Sequence, residues 1–220
     1  MCHASPGSRR IIALISPALR GFFNAMPTDW EMRYQTGDSP WDKGRPHPEL
    51  VDYLAAHPLA GTVLVPGCGP GHDVRAIAAT GAEVVGIDIA PSAIERSRQH
   101  PAVGRERYEL ADIFALPPHW QCAFNWVWEH TCFCAIDPVL RERYAESVAA
   151  ALKPGGHFLA MFYLNPDREP DSDEPPFGVS EAELDQLFGA YFELLEHWVP
   201  RQTHPGREGR EQVRLYRRRA

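Results

Sequence analysis

Three glycines occupy alternate positions in the segment VLVPGCGPGHDV, which follows an apolar run and precedes a helical pattern. Glycine permits positive φ angles and close approach of a ligand, so a turn of this kind predicts a nucleotide site. A dinucleotide-binding turn has the spacing G-x-G-x-x-G, but position 72 is histidine and the next glycine is Gly81. The turn alone therefore leaves the nucleotide open. Its glycines are Gly67, Gly69 and Gly71.

Two acidic residues stand at the predicted ends of the next two strands. Asp88 comes 17 residues after Gly71, where a carboxylate can accept both hydroxyls of a ribose, as it also does in NAD-binding proteins. Asp112 is predicted to end the third strand, with its carboxylate on the amino group of an adenine and Ile113 as an apolar wall. The last glycine of the dinucleotide spacing, which would let the helix approach a pyrophosphate, is replaced by His72. We therefore predict S-adenosylmethionine rather than NAD.

The elements that position these residues alternate between strand and helix. Apolar runs at 62–67, 82–88, 108–113, 123–130 and 157–164 predict strands, separated by helical patterns at 72–80, 90–100 and 137–156. A last helix at 180–190, with Ser180 and Glu183 as a capping box, precedes two strands at 191–199 and 211–218. Such alternation predicts an α/β fold: a doubly wound, mostly parallel seven-stranded sheet that ends in a C-terminal antiparallel hairpin.

Composition indicates one globular domain that binds a small molecule. The chain has 220 residues, 44% of them hydrophobic and 23% charged, and a net charge of −7. That charge argues against nucleic acid as the main ligand, and no apolar run approaches the roughly 20 residues of a membrane span. We read the arginines between Arg201 and Arg219 as a solvated strand and tail, and we expect a cytoplasmic monomer.

The five cysteines are odd in number and irregular in spacing. We expect them to be reduced, as in a cytoplasmic protein. Cys132 and Cys134 form a C-x-C pair without a second pair of ligands, which is a poor zinc signal, so we predict no metal and place both thiols on one face near a strand end.

The first residues are set apart from the rest. A faint likeness to a signal peptide is interrupted by Pro17 and Arg20 and lacks a cleavage site of small residues. We predict a flexible N-terminal extension over residues 1–26 and a single domain over residues 27–220.

Several phrases in combination resemble a known family. They are VPGCGPGHDV, VVGIDIA, ADIF, WEHTCFCAIDP, LKPGGHF, PPFGVS and, upstream, a W-x-x-x-Y pattern followed by GDSPWDKG. Together they resemble the thiopurine S-methyltransferase superfamily over Trp30 to about Arg214, with the thiol and halide methyltransferase branch closest.

The resemblance implies a Rossmann-like class I methyltransferase that uses S-adenosylmethionine and releases S-adenosylhomocysteine. It implies that Gly67 and its neighbours contact the methionine part, Asp88 the ribose, and Asp112 with Ile113 the adenine. His130 stands where such enzymes place a pocket residue, often Tyr or Arg, and we group it with the cofactor-binding residues. The aromatic residues that would close over the cofactor are Trp30, Tyr34 and Trp41.

Methyl transfer from a sulfonium is an in-line displacement, in which desolvation and alignment of an anionic acceptor supply much of the acceleration. An ionised acceptor needs no base, and the sequence displays no His/Asp pair or carboxylate dyad at catalytic spacing. Phe133 and Tyr163, with Trp41, are the predicted acceptor-pocket residues, and the Tyr163 hydroxyl could orient the acceptor. A nucleophilic cysteine is disfavoured, since only His130 could serve it as a base.

Four functions stay open at this point. The first is methyl transfer to a small thiol, a thiocyanate-like anion or a halide. The second keeps the cofactor and takes a heterocyclic thiol or an oxygen or nitrogen nucleophile of a small natural product, which the acidic segment 167–174 would favour. The third is an NAD-binding oxidoreductase, opposed by Asp112 and the absent third glycine, and the fourth is a non-catalytic cofactor-binding module.

Overall fold

The computed structural model describes residues 28–166, 172 and 174–220. The predicted extension over residues 1–26 and most of the acidic segment lie outside the described residues. Within the described ranges, no helix combines the length and the apolar character needed to cross a membrane.

One mixed sheet organises the chain. Its strands have the order β3-β2-β1-β4-β5-β7-β6; β1 to β5 are parallel, and β7 is antiparallel to both of its neighbours. The predicted α/β class, the seven strands and the C-terminal antiparallel hairpin are thereby confirmed. The strands are β1 (Thr62–Pro66), β2 (Glu83–Asp88), β3 (Arg105–Leu110), β4 (Phe124–His130), β5 (Leu152–Tyr163), β6 (Phe192–Trp198) and β7 (Glu211–Arg218).

Six α-helices accompany the sheet in the described residues. Four match the predicted helical patterns, whereas α1 and α2 lie in the N-terminal segment, for which the sequence predicted aromatic contacts but no helix. The helices are α1 (Trp30–Thr36), α2 (Pro48–Ala56), α3 (His72–Ala78), α4 (Pro91–Arg98), α5 (Arg141–Ala151) and α6 (Glu181–Gly189).

Two apolar clusters form most of the core. One contains α5, α6 and an aromatic group of Phe133, Tyr144, Phe158, Phe162 and Phe188. The other contains α2, α3 and α4 with Trp128 and Leu159 of the central strands. Because parallel strands are covered by helices on both faces, β1 and β2 read as continuous apolar runs rather than as alternating patterns.

Three local predictions were wrong. The predicted helix 137–156 is a shorter α5, and Pro154-Gly155-Gly156 lies inside β5 rather than closing the helix. Asp112 stands two residues beyond the end of β3, where its side chain caps a short 3-10 helix. The two neighbouring cysteines are not on a strand: Cys132 precedes a 3-10 turn, and Cys134 lies within that turn.

The predicted capping box of α6 is half formed. The Ser180 side chain accepts from the Glu183 backbone N–H at 3.1 Å. The Glu183 carboxylate instead takes the guanidinium of the buried Arg141 at 2.7 Å, because a charge-assisted bond is stronger than a bond to a neutral amide.

Glu129 is a carboxyl group within the core. It is fully buried on β4, accepts from the Phe133 backbone N–H at 2.7 Å and receives a hydrogen bond from the Tyr144 hydroxyl. Burial raises the pKa of Glu129 from 4.5 to about 7 against these stabilising hydrogen bonds. Between pH 4.5 and about pH 7, the Glu129 carboxyl group of the folded chain therefore keeps a proton that the unfolded chain has already released.

This raised pKa predicts a loss of stability as the pH increases. The rise from 4.5 to about 7 corresponds to on the order of 3 kcal/mol of unfolding free energy lost between those pH values. Glu129→Gln keeps an acceptor for Phe133 without a charge, so its stability relative to the wild type should increase from pH 5 to pH 8. Urea denaturation at both pH values measures the difference, and an equal difference at both would contradict the raised pKa.

Candidate functional site

The glycine turn leaves β1 at the carboxyl edge of the sheet. All three glycines have positive φ angles, 57° at Gly67, 52° at Gly69 and 79° at Gly71. A side-chain carbon on Gly69 would stand 3.0 Å from the Tyr34 hydroxyl. An L-residue would thus meet both an unfavourable backbone and a crowded space at the tip of the turn.

Asp88 holds this turn in place from the end of β2. One carboxylate oxygen accepts from the Gly69 N–H at 3.0 Å, and the other accepts from the Ala90 N–H at 2.9 Å. Burial raises the pKa of Asp88, and the hydrogen bonds from Ala90 and Gly69 oppose that rise. Each carboxylate oxygen has a further lone pair, so the residue that fixes the turn can also accept from a ribose.

The predicted adenine side lies at the ends of β2 and β3. Asp112 is exposed and accepts from the Phe114 N–H at 2.8 Å, whereas Ile113 is buried. Ile89 directly follows Asp88 and is 54% exposed, which is unusual for a large aliphatic side chain at a strand end. Its position after the acid was the signal in the sequence, and our sequence reasoning missed it.

The three N-terminal aromatic residues form a cluster beside the turn. The Trp41 indole donates to the Tyr34 hydroxyl at 3.1 Å, and the rings of Trp30 and Trp41 meet edge to face at 5.3 Å. Glu31 fastens α1 to α4 through the Ser92 hydroxyl at 2.6 Å and backbone N–H at 2.9 Å. Burial, with the charge of Asp88, raises the pKa of Tyr34, so its hydroxyl is neutral.

His130 forms a pair with a carboxylate that the sequence did not reveal. Its Nδ1 lies 2.8 Å from the Asp73 carboxylate, which also accepts from the Trp128 indole at 2.9 Å and the His47 backbone N–H at 2.8 Å. The expectation of no His/Asp pair was therefore wrong. Asp73 opens α3 and His130 ends β4, 57 residues later, so only the folded sheet brings them together.

More polar groups surround His130 on the side of the C-terminal strands. His47 Nε2 lies 3.1 Å from a carboxylate oxygen of Glu211. The Arg207 guanidinium lies 3.0 Å from the Glu211 carboxylate and 3.4 Å from His130 Nε2. The His204 ring stacks on that of His130 at a centroid distance of 5.9 Å. We call Asp73, His130, His47, His204, Arg207 and Glu211 the histidine cluster.

The ligating atoms of His47, His130 and Glu211 lie within 4.8 Å of one another, a spacing that a metal ion could use. Two hydrogen bonds oppose that use. His47 Nδ1 accepts from the Glu49 N–H, so the neutral ring carries its proton on Nε2, the atom that faces Glu211. The Arg207 guanidinium also lies against His130 and Glu211. The donor set is thus arranged as a hydrogen-bonded network.

The two predicted acceptor-pocket residues have different surroundings. Tyr163 is partly exposed at the end of β5, and the Arg207 guanidinium lies over its ring at 4.9 Å. Phe133 is only 2% exposed and packs in the core against Tyr144 and Phe162. The structure thus places Tyr163 beside the histidine cluster and Phe133 in the apolar core.

The cysteines near the turn are neutral thiols. Burial raises the pKa of Cys68 and Cys132 well above the usual value and that of Cys134 to about 12. A nucleophilic or metal-binding cysteine requires a thiolate, so these thiols are packing groups.

One pocket connects the glycine turn, Trp41 of the N-terminal aromatic cluster and the histidine cluster. Its lining includes Trp41, Gly67, Gly69, His130, Thr131 and His204. Groups predicted for the cofactor and members of the histidine cluster therefore share a concave surface at the carboxyl edge of the parallel strands, where open α/β sheets bind their ligands. The predicted acceptor residues Phe133 and Tyr163 are not among the residues that line it.

Comparison with known proteins agrees with this arrangement. A family model described as Thiopurine S-methyltransferase (TPMT) matches residues 25–215. The chain belongs to this family. A relative from Arabidopsis thaliana, named probable thiol methyltransferase 2, is 34% identical over 163 residues, which cover 72% of this chain and 70% of the relative.

A second relative is a 2-heptyl-1-hydroxyquinolin-4(1H)-one methyltransferase of Mycobacteroides abscessus. It is 30% identical over 156 residues, 70% of this chain and 68% of that relative. The solved 1,6-didemethyltoxoflavin-N1-methyltransferase of Burkholderia thailandensis, with S-adenosylhomocysteine bound, has a TM-score of 0.70 at 19% identity over 89% of this chain and 92% of that one. The chain is an S-adenosylmethionine-dependent methyltransferase with the Rossmann-like class I fold.

As a thiopurine S-methyltransferase family member, the chain should lose cofactor affinity when Asp88 is changed. Asp88→Ala removes a charged acceptor and releases the Gly69 N–H, and a hydrogen bond to a charged group contributes about 1.5–3 kcal/mol. We expect the S-adenosylhomocysteine Kd to rise about 10- to 100-fold by calorimetry. Glu146→Ala, an exposed carboxylate of α5, is the matched control, and an unchanged affinity in Asp88→Ala would show that the acid is purely structural.

Proposed function

We propose that this chain transfers the methyl group of S-adenosylmethionine to a small thiol, a thiocyanate-like anion or a halide. The observation that carries the proposal is the shared pocket, in which Gly67 and Gly69 meet Trp41, His130 and Thr131. The similarity to a thiol methyltransferase over 72% of the chain supports the same acceptor class.

The residues present fit an adenosyl sulfonium as methyl donor. The turn offers backbone without side chains, and Asp88 has lone pairs for a ribose. Ile89 offers an exposed aliphatic surface against which the adenine ring could pack, with Asp112 near its amino group. Trp30, Tyr34 and Trp41 offer ring faces near the turn, and aromatic faces attract cations. We assign the cofactor to Trp30, Tyr34, Trp41, Gly67, Gly69, Gly71, Asp88, Asp112, Ile113 and His130.

The chain's own residues would act mainly by alignment and exclusion of water. An anionic acceptor and a sulfonium neutralise each other as the methyl group passes, so a pocket with little water favours the displacement. We propose that Tyr163, whose ring lies under the Arg207 guanidinium, holds the acceptor. We propose that Phe133 supports the acceptor pocket by packing rigidly in the apolar core beneath it.

A second acceptor class has its own observation. The Asp73–His130 pair can receive a proton, which halides and thiocyanate do not carry but oxygen, nitrogen and neutral thiol acceptors do. The similarity to a hydroxyquinolone methyltransferase points the same way. A heterocyclic thiol or an oxygen or nitrogen nucleophile of a small natural product is therefore the alternative.

Product analysis with the purified enzyme tests the proposal. S-adenosylmethionine would be supplied with iodide, bisulfide, thiocyanate or an aryl thiol, and methylated products would be measured by headspace gas chromatography. We expect at least one methylated product and a matching amount of S-adenosylhomocysteine. If none of these acceptors is methylated but a hydroxylated heterocycle is, the alternative replaces the leading proposal.

A further inference from the structure

The proton of His130 has a defined place in the network. Asp73 accepts at 2.8 Å from Nδ1, and an ionised carboxylate can only accept, so Nδ1 carries the proton. The Arg207 guanidinium, which can only donate, lies 3.4 Å from Nε2. In this arrangement Nε2 is therefore the nitrogen that can accept a hydrogen bond.

Asp73 is fixed as an anion by its surroundings. Burial raises the pKa of Asp73, but the electrostatic interaction with the His130 ring and hydrogen bonds from His130, Trp128 and the His47 backbone outweigh burial and hold that pKa well below the usual range. A permanently ionised partner orients the imidazole and stabilises the imidazolium that forms when Nε2 takes a proton, as in other carboxylate–histidine pairs.

The backbone after His130 is held in an unfavourable form. Thr131 has a φ of 65°, which is rare for a β-branched residue, and its hydroxyl donates to the His130 carbonyl at 2.7 Å. Thr131 and His130 both line the pocket next to Gly67 and Gly69. Strain of this kind persists where the surrounding structure imposes it, commonly at functional sites.

The other charged and titratable groups around His130 leave it as the proton acceptor. Burial lowers the pKa of His47, and burial together with the electrostatic influence of His130, His47 and Arg207 lowers that of His204 to about 4, so both rings are neutral at pH 7. Burial opposes ionisation of Glu211, but His47 and Arg207 outweigh it and lower its pKa. The groups that face His130 are Asp73 of α3, His47 before α2, His204 and Arg207 of the β6–β7 loop, and Glu211 of β7, while Glu129 acts on it electrostatically from the other face of β4.

We propose that His130 Nε2, oriented by Asp73, removes the proton from the methyl acceptor, and that this enzyme therefore acts on acceptors that arrive protonated. The assignment rests on the proposed methyl transfer and selects neutral thiols, and heteroatoms that carry a hydrogen, over halides and thiocyanate. For such an acceptor to reach Nε2, it must replace the long Arg207 contact; Arg207 keeps its shorter bond to Glu211 and its contact with Tyr163.

The step balances as a displacement with proton transfer. The acceptor heteroatom forms a bond to the methyl carbon while the bond from that carbon to the sulfonium sulfur breaks, and the electron pair of the broken bond stays on the sulfur. The acceptor proton moves to Nε2 and gives an imidazolium paired with Asp73. Solvent takes that proton before the next turnover.

Acceptors that differ only in their proton test the assignment. An alkanethiol is protonated at neutral pH, whereas nitrothiophenol is already a thiolate and iodide has no proton. His130→Gln supplies a hydrogen-bonding but non-basic group, and His197→Gln on the exposed face of β6 is the matched control. We expect His130→Gln to lower kcat/KM by about 100-fold or more with the alkanethiol, and by at least about tenfold less with nitrothiophenol and iodide, for which only a contribution to cofactor binding would be lost.

The results that overturn the assignment are equally specific. Equal losses of His130→Gln with both kinds of acceptor, a loss below about tenfold with the alkanethiol, or a wild type that methylates only ionised acceptors would each do so. If the wild-type enzyme methylates neither these acceptors nor a hydroxylated heterocycle, the proposed function itself is overturned. Far-ultraviolet circular dichroism should give the same spectrum for both histidine variants as for the wild type, which shows that each is folded.

A direct readout does not depend on turnover. Long-range proton–nitrogen NMR spectra of the histidine rings, with His130 assigned from the spectrum of His130→Gln, should show Nδ1 protonated and Nε2 unprotonated at neutral pH. A ring protonated on Nε2, alone or together with Nδ1, would refute His130 as the resting base.

Discussion

The carboxylate of Asp73 joins three separate parts of the chain by accepting hydrogen bonds. It opens α3 and accepts from the His47 backbone before α2, from the Trp128 indole of β4 and from the His130 ring at the end of that strand. An acidic residue is favoured in the first turn of a helix, since it faces the positive end of the helix dipole. The same charge thus stabilises α3 and aligns the groups that form one wall of the pocket.

A second carboxylate, Asp88, performs a comparable task on the other side of the turn. It fixes Gly69 and the start of α4 with its two oxygens, while Tyr34 fills the space above Gly69. The turn is therefore held from β2 and from α1 by contacts within the protein. A rigid turn lowers the ordering cost of binding.

Much of the fold could be predicted because its signals are local. Apolar runs for β1 and β2, glycines at the turn and an acid at the end of β2 depend only on neighbouring residues. The helices α1 and α2 were not predicted because they are short, with seven and nine residues. Proline and glycine residues on either side of them further weaken the helical periodicity. Asp112 was placed on β3 because its apolar neighbours continue the strand pattern, whereas its side chain caps the turn that follows.

The site was harder to predict than the fold, and β4 shows why. The segment WEH carries three polar or aromatic residues in sequence, and alternation along a strand sends them to opposite faces of the sheet. Glu129 enters the aromatic cluster with Tyr144, where burial keeps its proton, while Trp128 and His130 meet Asp73 on the other face. The sequence shows two candidate acid–base groups side by side, and only their partners separate them. Asp73 lies 57 residues before His130 in the chain and Arg207 lies 77 residues after it, so a search for local spacing could not find the partners that orient this histidine.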